Sequence, residues 1–410
     1  MRERVVITGV GLVTPLGIGT VALWGALMGG RSAITRMSPG SEEEQGARAS
    51  WLVAPVVDFD PGRWLPWREA RHLDRSAQFA VVAAEQAWND AGRPPVAPER
   101  AGVVVGTGFG GIASLVEQQR ILDTRGPRRV SPFFIPMMMG NSAAAAVSIR
   151  LGLTGLSLAT VHDALSAADA LSQAVVALRR GELDVVLAGG TEASLLPLVL
   201  TGLAPLGLVA PGQRHPETAV RPFSRRRQGF VLGEGAAMLV LERASFAARR
   251  GAGTYAELAG YGYGTGGGSD ERAFHQALVH ALADAEAAPG AIDYVNADGC
   301  ALPTTDVAET QAIKAVFGAH SRALAVSSTK AATGHLWGAA PALEMAIAAL
   351  ALHHQAVPPT LNWEPGDPVC DLDYVPGKAR LRPLAWAVST SRGLGAQCAA
   401  FVLRAAGQAA

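Results

Sequence analysis

The sequence predicts an α/β protein built of layered sheet and helix. Short runs rich in Val and Ile alternate with Ala-rich stretches of helical periodicity, and no Pro-, Ser- or Gly-rich linker is long enough to separate autonomous domains. Size points the same way: 410 residues, 49% hydrophobic, bury a large core, as two or three ordinary domains or one double-sized unit.

The elements follow in order. "ERVVITGV" is the first buried strand; its basic tip and apolar run resemble a secretion signal, but Gly and Pro interrupt the run and no small-residue cleavage site follows. "RSAQFAVVAAEQAWNDAG" is a helix that closes near a Gly, and "AGVVVGTG" is the next strand. A strand ending near Ala159 then turns into the helix "SAADALSQAVVALRRG", which places residue 164 at an exposed helix N-terminus. "DVVLAGGT", "AAMLVLER", "IDYVNADG", "ALAVSS" and "CAAFVLRA" are further strands, and "TDVAETQAIKAVFG" and "APALEMAIAALALHH" are helices. His353 and His354 end the last helix, where cations suit its dipole. The Gly-rich "YGYGTGGGSD" is the best internal boundary, dividing residues 1–260 from 261–410. The uncharged run "ASLLPLVLTGLAPLGLVAPGQ" is broken by Pro197, Pro205 and Pro211, so it predicts buried helix and loop, not a membrane span.

Charge excludes several classes of partner. Lys plus Arg equal Asp plus Glu at 35 each, so no global field draws the chain to nucleic acid or an anionic membrane. Arg225, Arg226 and Arg227 form a local, solvated cluster. Cys300, Cys370 and Cys398 have neither CxxC spacing nor a histidine at metal-ligand distance, which predicts no disulfide framework, no metal and a reducing cytoplasm. "GTGFGG" from Gly106 follows a strand and matches GxGxxG formally, but no acidic residue stands about twenty positions on to hold a ribose, so no nucleotide cofactor is expected.

Three segments carry chemistry. The first is the turn into the helix at 164, where backbone N–H groups and the helix dipole stabilise a thiolate or oxyanion. The others are "NADGCALPTTDVAETQAIKAVFG" and "SSTKAATGHLWGAAPALEMA"; in the latter Lys330 and His335 stand on a Gly-containing turn before a helix, where an imidazole can donate to a carbonyl.

With "VVITGVGLVTPLG", "SPFFIPMMMGNSAAAAVSIRLGL", "VLAGGTEAS", "RPFSRRRQGFVLGEGAAMLVLE" and "STSRGLGAQCAAFVL" in addition, essentially the whole chain resembles the β-ketoacyl-acyl-carrier-protein synthases. The resemblance implies the thiolase fold, a five-layered α/β/α/β/α unit of two similar halves, dimeric through the sheet edge near residues 101–165. It also implies a cysteine and two histidines at the active site. Counted from Gly155 forward and from Ala188 backward, the cysteine position holds Ala164; the first histidine position holds Asp298, followed by Gly299 and Cys300; and the second keeps His335, with Lys330 and Glu344. The gating phenylalanine is replaced by Leu394.

Ala164 offers no group to acylate, and an anion at Asp298 opposes a developing enolate. On this basis no catalytic residue is expected, Ala164, Asp298, His335 and Lys330 being degenerate positions. The resemblance then narrows to the chain-length-factor subunits of type II polyketide synthases, which lack the cysteine. The expectation is a non-catalytic subunit that forms a heterodimer with an active ketosynthase, meets acyl carrier protein, and shapes the tunnel for polyketide or polyene chains. Most such subunits carry glutamine where this chain has Ala164. A malonyl-carrier-protein decarboxylase using His335 and a carrier-protein docking module are the alternatives. Ile112, Leu115 and Gln119, at helical spacing, with Phe133, Phe134 and Leu394, are the expected tunnel residues. Cys300 is expected to be a small buried hydrophobe, Ser166 a hydrogen-bond donor at its helix start, Asp298 an ion-pair partner of Lys330, and His335 bonded to its own turn.

Overall fold

The computed structural model describes residues 2–37 and 51–407. Among these the chain forms one mixed sheet of 11 strands. Its principal members are β1 (Val5–Thr14), β2 (Ala101–Gly106), β3 (Ser157–Thr160), β4 (Val185–Glu192), β5 (Gly235–Arg243), β6 (Ala256–Thr265), β7 (Tyr294–Asn296), β8 (Ala325–Ser327), β9 (Trp386–Gly393) and β10 (Gln397–Ala405). The eleventh, Gly17–Ile18, folds back on β1. The helices that matter are α1 (Arg75–Asp90), α2 (Ile112–Arg125), α3 (Ser142–Leu151), α4 (Ser166–Arg179), α5 (Asp270–Asp284), α6 (Thr305–Phe317) and α7 (Ala340–His354).

The strand order β8-β7-β9-β10-β6-β1-β5-β4-β2-β3 is a duplication. Outward from the middle, β1-β5-β4-β2-β3 and β6-β10-β9-β7-β8 repeat one sequence of first, fifth, fourth, second and third strand. In each half the second strand pairs parallel with the third and fourth, and the fourth antiparallel with the fifth. The halves join where β1 meets β6 antiparallel, Val5 opposite Leu258 and Ile7 opposite Ala256.

Three apolar clusters explain the layers. α1 and α3 cover one face of the first half, and α5 and α6 cover one face of the second. α4 and α7 share a cluster with strands of both halves, so they form the middle layer. A helix covered on both sides must be apolar all round, and α7 is buried from Ala340 to Leu352. Glu344 is the carboxylate inside that run. The result is the thiolase fold, five layers built from two similar halves.

The Gly-rich stretch after residue 255 forms β6 and opens the second half. A Cβ on Gly264 would lie 2.0 Å from the Ala273 carbonyl oxygen, so the missing side chain lets α5 rest on the strand. Tyr261 and Tyr263 turn the other way and pack on the middle-layer cluster.

Candidate functional site

The ends of β3, β7 and β9 and the segment before α7 converge on one small cavity. It leaves a free volume of only about 10 Å³ and is lined chiefly by Ala164, Phe230, Asp298, Cys300, His335 and Leu394. Sequence-distant residues meet there because strands of both halves deliver their ends to the middle layer.

Ala164 differs from expectation in its surroundings. A one-turn 3-10 helix, Asp163–Leu165, precedes α4, which starts at Ser166; the strand before it ends at Thr160. The residue is not exposed but 5% accessible. Packing explains this: Ala164 belongs to the apolar cluster of Phe230, Cys300 and Trp337 that closes over the turn. β2 ends on Gly106 against the start of α4, and a Cβ there would lie 2.3 Å from the Ser166 carbonyl carbon. The turn is held in a strained conformation, Asp163 having φ +40. Ser166 acts as expected, its hydroxyl donating to the Asp163 carbonyl at 2.7 Å and accepting from the His162 N–H at 2.9 Å. The Asp163 carboxylate accepts from the Leu394 N–H at 2.8 Å, tying the loop after β9 to the turn.

Asp298 and Lys330 form the expected ion pair at 2.9 Å, both side chains nearly inaccessible. Lys330 Nζ also donates to the Asp298 carbonyl at 2.6 Å and to Glu344, and Glu344 in turn accepts from the Ser391 hydroxyl at 3.0 Å. Burial is the largest single influence and disfavours the charge, but the charge and hydrogen bond of Lys330, with neighbouring cationic groups such as Arg392, together outweigh it and hold the Asp298 carboxyl below the usual carboxylate range. Lys330 is held protonated by its two carboxylates despite burial. One ammonium fully compensates one carboxylate: burial pushes Glu344 up to about 7, only partly offset by Lys330. Asp298 is therefore the more acidic carboxyl of the trio.

His335 is bonded to its own turn, Nδ1 accepting from the Trp337 N–H at 3.1 Å. That bond places the ring proton on Nε2. Burial, then the charge of Lys330, lowers its pKa to about 3, so the imidazole is a neutral donor. Neither His335 Nε2 nor Asp298 Oδ2 has a hydrogen-bond partner among the described residues, and both side chains line the cavity. Burial and the Asp298 charge raise the Cys300 thiol well above its ordinary range, leaving it protonated.

Glu309 and Arg392 were not legible from the sequence. Glu309 accepts from the Asp298 and Gly299 N–H groups, each at 2.9 Å, and from the Thr390 hydroxyl at 2.6 Å, fixing the segment that carries Asp298. Arg392 lines the cavity and donates to Asp270 at 2.9 Å. A glutamate five residues into a helix and an arginine near the end of a strand carry no signature of their own. Of the expected tunnel residues, Leu394 lines the cavity. Ile112 packs half-buried on the cluster of Ala164 and Trp337. Leu115, Gln119 and Phe133 are exposed, Gln119 donating to Asp123 and Phe133 stacking on His72; Phe134, at the start of the short helix Phe134–Met138, is half-buried. Among the described residues no group of three or more His, Cys, Asp or Glu could hold a metal ion, and no helix is long and apolar enough to cross a membrane.

Comparison with known proteins sets these features in context. The model of the beta-ketoacyl synthase N-terminal domain matches residues 2–247 and that of the C-terminal domain residues 255–364. A 3-oxoacyl-[acyl-carrier-protein] synthase 2 of Synechocystis sp. is 39% identical over 402 residues, 96% of each chain. Among solved structures, a type II PKS acyl-carrier protein in complex with its ketosynthase bound to the hexaketide matches with TM-score 0.87 and 31% identity over 99% of this chain and 100% of that one. The ishigamide ketosynthase/chain length factor matches with TM-score 0.89 and 28% identity over the same shares. The curated relatives correct the expectation of a non-catalytic chain-length-factor subunit and the alternatives attached to it: at 36–39% identity over nearly the full length they are named as 3-oxoacyl synthases, which points to a condensing enzyme. Two positions, Ala164 and Asp298, had carried that expectation against the likeness of the rest of the chain.

Proposed function

The chain belongs to the beta-ketoacyl synthase family, and on that premise we propose that it is a condensing-type enzyme acting on acyl thioesters of acyl carrier protein. The observation that carries this is the neutral His335, which lines the cavity and whose Nε2–H has no hydrogen-bond partner among the described residues. A neutral, preorganised donor in a site of low dielectric stabilises oxygen charge that develops at a thioester carbonyl. Burial, then the charge of Lys330, keeps the imidazole neutral, and Glu309 holds the segment bearing Asp298. In this reaction a malonyl thioester loses carbon dioxide, and the resulting carbanion attacks the carbonyl of a second acyl thioester, expelling its thiolate and giving a 3-oxoacyl thioester; the charge of Asp298, which would oppose that carbanion, is compensated by the paired Lys330 ammonium.

The methyl group of Ala164 holds no acyl chain, so the acyl donor enters as its carrier-protein thioester. The chain runs past Leu394 and Ile112 toward Leu115 and Gln119, beneath a second ketosynthase-fold chain. In support, Leu122, Ile135, Met139, Leu158 and Val161 expose apolar surface on that side of the molecule, next to the edge strand β3. The pairing chain is an active ketosynthase or a second copy. Incubation of the purified protein with malonyl- and acyl-carrier protein, read by mass spectrometry, should give a 3-oxoacyl product that His335→Ala removes. No such product from the wild type, in either pairing, would refute the proposal.

A further inference from the structure

Every residue that lines the small cavity is buried or half-buried except one. Leu394 is 38% accessible, and it stands at the tip of the hairpin joining β9 to β10, where residues 394–396 follow the pair Gly393 and Gln397. A free volume of about 10 Å³ holds no more than one water, so no larger molecule meets Asp298, His335 or Arg392 while the tip lies as it does. The rest of the lining is packed into the cluster of Ala164, Phe230, Cys300 and Trp337 or into the ion network behind it. The tip is the wall that can move.

Two side chains of the turn before α4 hold it. The Asp163 carboxylate accepts the Leu394 N–H at 2.8 Å through one oxygen and the Leu165 N–H at 3.3 Å through the other, so it bridges tip and turn. His162 lies between Asp169, 2.9 Å from its Nδ1, and the Gln397 side-chain amide at its Nε2. The contact is tight, since a Cβ on Gly393 would lie 2.5 Å from Asp163 Oδ1. Both partners carry backbone strain, Asp163 with φ +40 and Ala396 with φ +55; such conformations persist only while their surroundings over-determine them, and they cluster at switch regions. A further bond, from the Gly266 N–H to the Ala396 carbonyl at 2.9 Å, ties the far side of the tip to the end of β6 and leaves a hinge there. We propose that residues 394–396 form a lid over the cavity, latched shut by Asp163 and His162. Position 394 is the expected gate; the two latch residues are no part of that expectation and set how often the gate opens. Opening breaks the Leu394–Asp163 bond and exposes the side chains beneath, Cys300 among them. That the opening admits an acyl thioester rests on the condensing reading; the latch itself is tested without turnover.

The test uses the full-length protein and no substrate. N-ethylmaleimide at pH 8, followed by peptide mass spectrometry, reads the modification of Cys300 against that of Cys370, which is buried in the cluster of the second half. In the wild type Cys300 should react slowly, being covered and held protonated by burial. Asp163→Ala and Gln397→Ala should each speed its modification by about tenfold, the worth of one lost hydrogen bond, with Cys370 unchanged. Amide hydrogen exchange across residues 393–397 should rise in step. Gln397→Ala leaves the turn before α4 intact and serves as the second variant should Asp163→Ala fail to fold. A wild-type rate at Cys300 in the folded variants, or an equal rise at Cys370, would overturn the latch. Faster Cys300 modification in a protein that makes no 3-oxoacyl product would sink only the condensing proposal; product formation with Cys300 unchanged in both variants would sink only this one.

Discussion

Lys330→Met removes the cation from the buried trio and keeps much of its length. The ammonium and both carboxylates are nearly inaccessible, at 2%, 3% and 4%. Glu344 can answer by taking a proton, because its pKa already lies at about 7; Asp298, the stronger acid, is left as a buried charge. Stranding one partner of a buried pair costs about 3–5 kcal/mol. With an unfolding entropy of about 2.1 cal/mol/K per residue, a chain of this length has about 0.86 kcal/mol/K, so the melting temperature should fall by about 3–6 °C. Thermal melts at pH 7 of Lys330→Met and of Lys330→Met/Asp298→Asn/Glu344→Gln provide the check. The triple variant carries no stranded charge and should regain most of the loss. Equal losses in the two variants, or a single variant that melts like the wild type, would refute the view that Asp298 depends on Lys330. The same substitution should raise the pKa of His335, because the Lys330 charge is the largest contribution after burial that lowers it; an NMR titration of the imidazole reads this directly.

Other outcomes follow from neighbouring residues. Burial raises Glu309 to about 8, so the folded state keeps a proton that the unfolded chain loses near pH 4.5. Its share of stability, complete below that pH, is lost as pH rises toward 8, with a slope of up to about 1.4 kcal/mol per pH unit. Urea midpoints at pH 5, 6.5 and 8 should fall in that order, and Glu309→Gln should flatten the trend. Ala164→Cys puts a thiol in the turn just before α4, near the helix N-terminus whose dipole favours a thiolate; iodoacetamide followed by peptide mapping should modify it before Cys300, and the reverse order would contradict the protonated state assigned to Cys300. Gly106→Ala forces a methyl group into the first turn of α4 and should cost about 1–3 kcal/mol, measured by urea unfolding, with condensing activity falling as the turn shifts.

The sequence alone determined the alternation of strand and helix and the methyl group at 164, because hydrophobic period and residue identity are local properties; the thiolase fold came only with the family resemblance that its motifs carry. It also made the Asp298–Lys330 pair and the role of Ser166 legible, since two opposite charges in neighbouring turns and a hydroxyl at a helix start have few alternatives. Among the elements that escaped it, three did so for a physical reason: β6, whose glycines weaken the strand signal while serving α5; α5 itself, which follows a Gly run; and β9, whose polar "STS" faces the buried network. Only the tertiary structure decided that Ala164 is buried, that Leu115 and Gln119 lie exposed on α2, and that Glu309, Thr390 and Arg392 gather around Asp298. It likewise decided the charge states. Whether Asp298 is ionised and His335 neutral depends on the depth of burial and the distance to Lys330, and both are set by two halves of the chain meeting at one layer of helices.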